Sequence, residues 1–460
     1  MSIQKKTSPS VGRILYGTGG LAAVTEVVFL LLFLTWFSHI HAIALLVAAV
    51  AGIALPVVLM PLCYALVNGN TSIATGRYHI PFTVSGLGAA LTFVLALAVG
   101  DVHPVAQGFA LFGLLFAHSL CMQTYLYTYA SIGQRFDPCG EAGKWRGIFA
   151  MLSLAFAALA IVALFDASRD SVRGIAAAAA IISVAATVAV YLVTVSSMPA
   201  FVRLEPRHPR SVKETYSRFC SPLKNGSVRM LVLSAFLLCA GTAFAASSLP
   251  QFVFSYMFRI NGGFKPAVLI AAVLVPPVGM FVYRYSQRSG NKAACTASVA
   301  VASVQLALAA AVAVSVFVPF PLAVKASVLF SFAAAVGITL ATVLVCDGAN
   351  NAHAVSVTNS TYGKYYCFRN CVSALGIAAG LALACVVRII DGNVGKVAAA
   401  VVSCAVYSFV ILVGTLLGRF GYSNARSKSK QDENKPPEKI AREENEPQPV
   451  EYSDCAEKEN

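Results

Sequence analysis

The stretch TGGLAAVTEVVFLLLFL, Thr18 to Leu34, reads as a membrane span with a carboxylate, Glu26, in its middle. The apolar run begins near Ile14, so Glu26 lies about twelve residues in, roughly 18 Å along a helix. A glutamate side chain is too short to reach water from that depth, and a charge at the bilayer centre costs at least ~2.5–3.5 kcal/mol. A partner elsewhere in the fold is therefore expected. Intramembrane acids mark protonatable or substrate-anchoring groups that face an internal cavity. The plainer alternative is a permanently protonated acid hydrogen-bonded to a neighbouring helix.

The rest of the chain has the same character. Of its 460 residues 58% are hydrophobic and only 12% charged, and the mean hydropathy is +0.73. Soluble domains carry about 25% charged residues, so that class is excluded. Stretches of about twenty apolar residues are long enough to cross the hydrocarbon. They recur twelve times, at 14–37, 42–67, 80–100, 105–132, 146–166, 174–198, 229–256, 266–285, 294–318, 322–346, 366–390 and 395–419. Breaks as short as SHIH, GDVHP and FVPFP make the flanking helices antiparallel neighbours. The polar opening MSIQKKTSPSVGR leads into a span too long for the apolar core of a signal peptide, so no cleavable leader is expected.

Lys and Arg set the orientation. With the N-terminus inside, the inside segments hold 26 of the 34 basic residues, among them seven between Arg203 and Arg229 and eight from Arg419 onward. Both termini are then cytoplasmic, in a bacterial inner membrane or a plasma membrane. The net charge of +14 follows from this topology and gives no reason to expect nucleic acid as a partner. The expected organisation is a six-helix bundle over 1–198, a basic cytoplasmic linker over 199–228 that rests against anionic headgroups, a second six-helix bundle over 229–419, and a tail over 420–460. The tail holds ten of the twenty acidic residues, is Pro-rich, and is expected to be disordered. The 12 cysteines lie mostly singly within apolar spans (Cys239, Cys295, Cys371, Cys385, Cys404) and show no metal-ligand spacing. They are read as reduced and structural, and neither a metal nor a cofactor is expected.

Two six-helix halves with both ends inside is the organisation of the major facilitator superfamily, and RYSQRSGNKAA, Arg284 to Ala294, resembles that superfamily's basic turn between paired helices. The equivalent loop after the second span, ATGRYHIPF (74–82), resembles the GRFRPW element of the glycoside–pentoside–hexuronide:cation symporters, the melibiose permease family. ILYGTGGLAA resembles the family's start of helix 1, MQTYLYTYASIGQRFDP the end of its helix 4, and KWRGIFA the start of its helix 5. VCDGANNAHAV and FRNCVSALGIAAG resemble its helix-10 exit and helix 11. The resemblance covers nearly the whole membrane body through degenerate motifs. It implies an all-α membrane protein of twelve transmembrane helices in two pseudo-symmetric bundles.

The departures from the family pattern are specific. The family's helix-1 aspartate falls at Val24, its helix-2 aspartates at or near Pro56 and Met60, its helix-4 aspartate at Gln123, and its helix-11 lysine at Asn370. A sodium site needs several hard oxygens, so the family's sodium mechanism is not expected here. Glu26 stands two positions from Val24, which on a helix is a rotation of about 200°. It takes over the aspartate's place only if helix 1 is locally unwound, as Gly17, Gly19 and Gly20 permit. The resemblance also places Tyr127 at a sugar-stacking ring position and Arg146 on the helix-5 arginine. Gln123 and Tyr127 share a helix face at i and i+4.

The expected substrate and coupling residues are thus Glu26, Gln123, Tyr127, Arg146, Arg369 and Asn370. Each has a plainer reading. Arg146 would snorkel from a helix end, Gln123 and Tyr127 would be interhelical glue, and either arginine would pair with Glu26. His118, in the fourth span beside Ser119, either relays protons or packs as a hydrogen-bonded ring. Asp347 and Asn351 (with Asn350), at the inner end of the tenth span, form a gate or a helix C-cap.

The function expected is a secondary-active transporter that moves a small polar solute by alternating access, a sugar or glycoside by resemblance, with a proton at Glu26 as the coupling ion. Uncoupled diffusion, a lysolipid cargo and a non-transporting sensor are the alternatives. A membrane-embedded transferase would need clustered aspartates for magnesium and diphosphate, and the spans contain none. No enzyme is expected.

Overall fold

The computed structural model describes residues 9–69, 78–99, 103–137, 141–164, 169–198, 212–254, 264–358 and 362–433. Twelve long helices follow one another. α1 is built of Pro9–Gly17, a 3-10 stretch Thr18–Ala22 and Ala23–Trp36; then come α2 Ala42–Gly69, α3 His79–Ala98, α4 Pro104–Phe136, α5 Glu141–Leu164 and α6 Arg169–Ser197. The second half comprises α7 Gly226–Ser248, continued by a π-helical turn Leu249–Phe254, then α8 Phe264–Ser289, α9 Asn291–Phe317, α10 Leu322–Thr358, α11 Tyr362–Asn393 and α12 Lys396–Glu433. Eleven of these are long and apolar enough to cross a membrane. The remaining one, α5, carries Lys144 and Arg146 in its first turns.

The packing repeats between the halves. α1 packs on α5 and α6, α2 and α6 on α4 and α3, and α3 on α4; the second half repeats each pairing six helices later, α7 with α11 and α12, α8 with α10, α9 with α10 and α12. The halves meet through α2 with α11, α5 with α8, α1 with α7, and α4 with α11. Hydropathy cannot drive helix association inside lipid, where the tails are as apolar as leucine, so close packing at small residues does. Gly376 and Gly380 of α11 lie against the α7 backbone, where a Cβ would run into the carbonyl oxygens of Phe236 and Ala240. Gly337 of α10 meets the Ala271 carbonyl of α8 in the same way.

Prolines lie inside two helices. Pro56 and Pro61 lie inside α2, and side-chain hydroxyls take up carbonyls near each: Ser119 donates to the Ile53 oxygen at 3.2 Å and Tyr216 to the Val58 oxygen at 2.7 Å. Pro276 and Pro277 lie inside α8. Tyr216 belongs to a short helix, Val212–Phe219, within the expected linker. Phe219, at its end, packs against Tyr64 of α2 and Phe368 of α11. Residues 199–211 of that linker, 74–77 of the basic loop and 434–460 of the tail lie outside the described residues. In the turn between α8 and α9, Gly290 has φ +81°, a backbone conformation that glycine adopts without strain.

Several helices run past their expected ends. α12 continues beyond 419 to Glu433, and α10 continues beyond 346 to Thr358. The second extension corrects one expectation. Asp347 and Asn351 sit in the body of a helix, so neither caps a terminus.

The buried side chains form two main clusters, each drawing on both halves. Phe29, Phe33 and Phe37 of α1, Phe244 of α7 with Phe252 and Phe254 of its π turn, and Leu381 of α11 belong to one, toward the face away from the chain termini. Tyr16, Tyr127, Tyr129, Val228, Tyr365 and Phe368 belong to the other, toward the face that carries the termini.

A very tight backbone approach lies in α1. A Cβ on Gly20 would run into the Arg146 carbonyl oxygen and lie 3.0 Å from the Ala150 nitrogen of α5. Gly20→Ala is therefore expected to cost ~1–3 kcal/mol by overpacking and to lower the thermal midpoint of the purified protein. Gly143→Ala, where nothing lies within 4 Å, should leave it unchanged.

Candidate functional site

The glycines of TGG shape the first helix. Thr18–Ala22 winds as a 3-10 helix, with Gly19 and Gly20 buried. Tyr125 donates to the Gly19 carbonyl at 3.1 Å and Ser153 to the Gly20 carbonyl at 3.3 Å. Those two side chains hold the irregular backbone at membrane depth, where an unpaired carbonyl would be costly. Five residues advancing by about 120° instead of about 100° add roughly 100° of rotation. Glu26 thereby comes to within about 60° of the face that residue 24 would hold in an unbroken helix.

The partner of Glu26 is His118. Its Nε2 lies 3.3 Å from Glu26 Oε1, with side-chain exposures of 7% and 27%. His118 Nδ1 donates to the Ala89 carbonyl of α3 at 2.9 Å, and because a carbonyl only accepts, Nδ1 carries a hydrogen. Nε2 then faces the carboxyl group either as an acceptor or, in the imidazolium, as a donor. One further proton satisfies both arrangements: Glu26 protonated and donating to a neutral ring, or Glu26 ionised beside a charged ring. Without it two acceptors oppose each other. Thr92 Oγ, 3.4 Å from Nδ1, completes the surroundings of the ring. His118 is thus a packed, hydrogen-bonded ring that also borders Glu26.

The arginines do not pair with Glu26. Arg146 donates to the Tyr366 hydroxyl, and its guanidinium lies over the rings of Tyr366 at 4.5 Å and Tyr129 at 5.1 Å. It is half-buried between aromatic faces and does not snorkel. Arg369 forms an ion pair with Asp347, which also accepts from Asn351 Nδ2 at 3.2 Å. The Arg369 guanidinium is 6.0 Å from the Tyr366 ring. Arg146, Tyr366, Arg369, Asp347 and Asn351 thus join α5, α11 and α10. Tyr366, three residues before Arg369, had no signal in the sequence beyond its place on the same helical face.

A second polar lane crosses from α2 to α11. Cys371 Sγ donates to Gln123 Oε1 at 3.6 Å, Gln123 Nε2 donates to Ser119 Oγ at 3.0 Å, and Ser119 donates onward to Ile53. Asn370 is buried beside Cys371, and its Nδ2 has no hydrogen-bond partner. Tyr127 is only 1% exposed and packs between Tyr64, at 5.2 Å, and Tyr78, at 6.0 Å. Stacking on a solute would require those rings to separate. Tyr129, by contrast, is the ring beneath Arg146.

These groups share a depth. Along α1 the apolar clusters change over between Ala22 and Val24, along α4 between Leu115 and Tyr125, and along α11 between Cys371 and Ala374. Glu26, His118, Ser119, Gln123, Asn370 and Cys371 occupy or border that changeover. Polar side chains thus gather where the two apolar clusters meet.

No family model matches the chain, and no curated protein matches it in sequence. Solved structures match in fold. A nucleoside transporter, NupG, superposes with a TM-score of 0.57 at 14% identity, covering 91% of this chain and 99% of its own. A D-xylose-proton symporter gives 0.58 at 14%, with 89% and 97% covered. FucP, a major facilitator superfamily transporter in the outward conformation, gives 0.53 at 13%, with 90% and 98% covered. The fold is that of the major facilitator superfamily.

The contact between Glu26 and His118 makes a testable statement about stability. His118→Ala leaves Glu26 without its partner and is expected to destabilise the detergent-solubilised protein by about 1–3 kcal/mol. Glu26→Gln keeps a hydrogen-bonding group opposite the ring and should cost less. Thermal denaturation of the single variants and of Glu26→Gln/His118→Ala checks this, with the double variant expected to be no worse than His118→Ala alone.

Proposed function

We propose that this chain is a secondary-active transporter that moves a small polar solute by alternating access, with a proton held between Glu26 and His118 as the coupling ion. One observation carries the reading: a layer of buried polar side chains lies at mid-depth between two apolar clusters, each built from both halves of the molecule. Rocking of the halves would open either cluster while the other stays closed. The fold supports this reading, since the solved structures it resembles are transporters and not enzymes, among them a D-xylose-proton symporter.

Within that scheme Gln123 and Asn370 offer amides, Arg146 and Arg369 offer guanidinium donors, and Tyr127 offers a ring to a polyhydroxylated solute, a sugar or glycoside by the resemblance. Asp347 and Asn351 hold Arg369 and form the gate toward the termini, which lie in the cytoplasm of a bacterial cell or beneath a plasma membrane. A proton suits the site better than sodium. One carboxylate beside an imidazole can bind and release a proton, whereas sodium requires several oxygen ligands.

Proteoliposomes given a panel of labelled sugars and glycosides, with and without an inward proton gradient, test the proposal. Gradient-stimulated uptake is expected in the wild type and should fall at least about tenfold in Glu26→Gln and in His118→Gln, a loss of about 1.4 kcal/mol in driving interaction. Uptake indifferent to gradient and substitution would overturn coupling and leave a uniporter. No uptake of any sugar would overturn the substrate class, and lysolipids form the next panel.

A further inference from the structure

At the face away from the termini a cation joins the two halves. Arg388, near the end of α11, donates from Nη1 to the Phe37 carbonyl at 3.2 Å, and from Nη2 to the carbonyls of Ser38 and Ile40, the latter at 3.0 Å. These acceptors lie at and just beyond the end of α1. The last carbonyls of a helix lack intrahelical partners there, and the helix dipole is negative. The planar fork of a guanidinium reaches several acceptors that one ammonium cannot. Directly beneath are Phe29, Phe33 and Phe37, with ring centroids 5.7–6.4 Å apart. They are buried in one cluster with Phe244, Phe252 and Phe254 of the other half.

A second observation lies one turn further along α11. Asp391 has a buried carboxylate oxygen, Oδ1, with no hydrogen-bond donor. It stands three residues from Arg388, within reach on the same helical face. The arginine therefore has two sets of acceptors, one across the interface and one on its own helix.

We propose that Arg388 is a latch that exchanges between the end of α1 and Asp391. Bound to α1, it holds the halves together over the phenylalanine cluster; turned to Asp391, it frees that face to open toward the polar layer. The purpose of the latch rests on the transporter reading, but its opening can be measured without any flux.

Hydrogen–deuterium exchange, followed by mass spectrometry on the full-length protein in detergent, reads that opening. In Arg388→Gln, amides of residues 29–40 and 244–254 are expected to exchange at least about tenfold faster, while those around Tyr16 and Tyr129 keep their wild-type rate. Arg388→Lys should fall between the two. A change confined to residues 37–40 would reduce Arg388 to a local cap and overturn the latch, as would no change at all. If Arg388→Gln loosens the whole molecule, Asp391→Asn decides the matter. It removes the alternative acceptor's charge and should slow exchange at 244–254; an unchanged rate there overturns the exchange. Absent uptake in proteoliposomes would count against the transporter reading alone, because this measurement does not depend on transport.

Discussion

The approach of His118 Nε2 to Glu26 Oε1, at 3.3 Å, is the contact on which the surrounding arrangement depends. A carboxyl group within an apolar span is favoured by a hydrogen-bonding neighbour that adapts to either protonation state. Imidazole is a side chain that both donates and accepts, and the Ala89 carbonyl fixes which nitrogen does which. The 3-10 turn at Thr18–Ala22 orients the acid, and the glycines in it let α1 come close enough to α5 and α4 for Ser153 and Tyr125 to hold the distorted backbone. Removing Tyr125 or Ser153 would take that donor from the Gly19 or Gly20 carbonyl.

The two halves share a packing plan and divide the chemistry unequally. The first half holds Glu26, His118 and Gln123; the second supplies Asp347, Arg369 and the paired amide and thiol of Asn370 and Cys371. The close helix contacts in the second half rest on glycines meeting backbone carbonyls. The first half has such a contact at Gly20 and adds reciprocal tyrosines between α1 and α4: Tyr16 donates to the Tyr129 carbonyl at 2.8 Å, and Tyr129 donates to that of Tyr16 at 2.7 Å. Pseudo-symmetry of shape thus coexists with asymmetry of polar groups.

Much of this was legible in the sequence, and the limit is a physical one. Span number and class follow from hydropathy, which each segment carries within itself. Glu26 announced itself through the cost of its own burial, and the glycines before it announced a break in the helix. Pairings did not, because they depend on which helices become neighbours. His118 was visible as a candidate but not as the partner of Glu26, ninety-two positions away in sequence. The arginines looked like equally good partners, yet Arg369 found Asp347 and Arg146 found Tyr366. Asp347 looked like a helix terminus because hydropathy falls there, whereas backbone hydrogen bonding carries α10 about three turns further. Arg388 gave no sign beyond its place among a few cations expected on the outer side.

Arg146 connects regions of the molecule that would otherwise be described separately. Its carbonyl oxygen is the atom against which Gly20 packs, and its guanidinium is the group that reaches Tyr366 in the other half. One residue thus acts as a rigid lever, with its backbone seated in the break of α1 and its arm resting on α11. A shift of the halves that displaces the arm must also press on the turn six residues before Glu26. Tyr366 of α11 and the turn before Glu26 are in this way joined through contact between atoms.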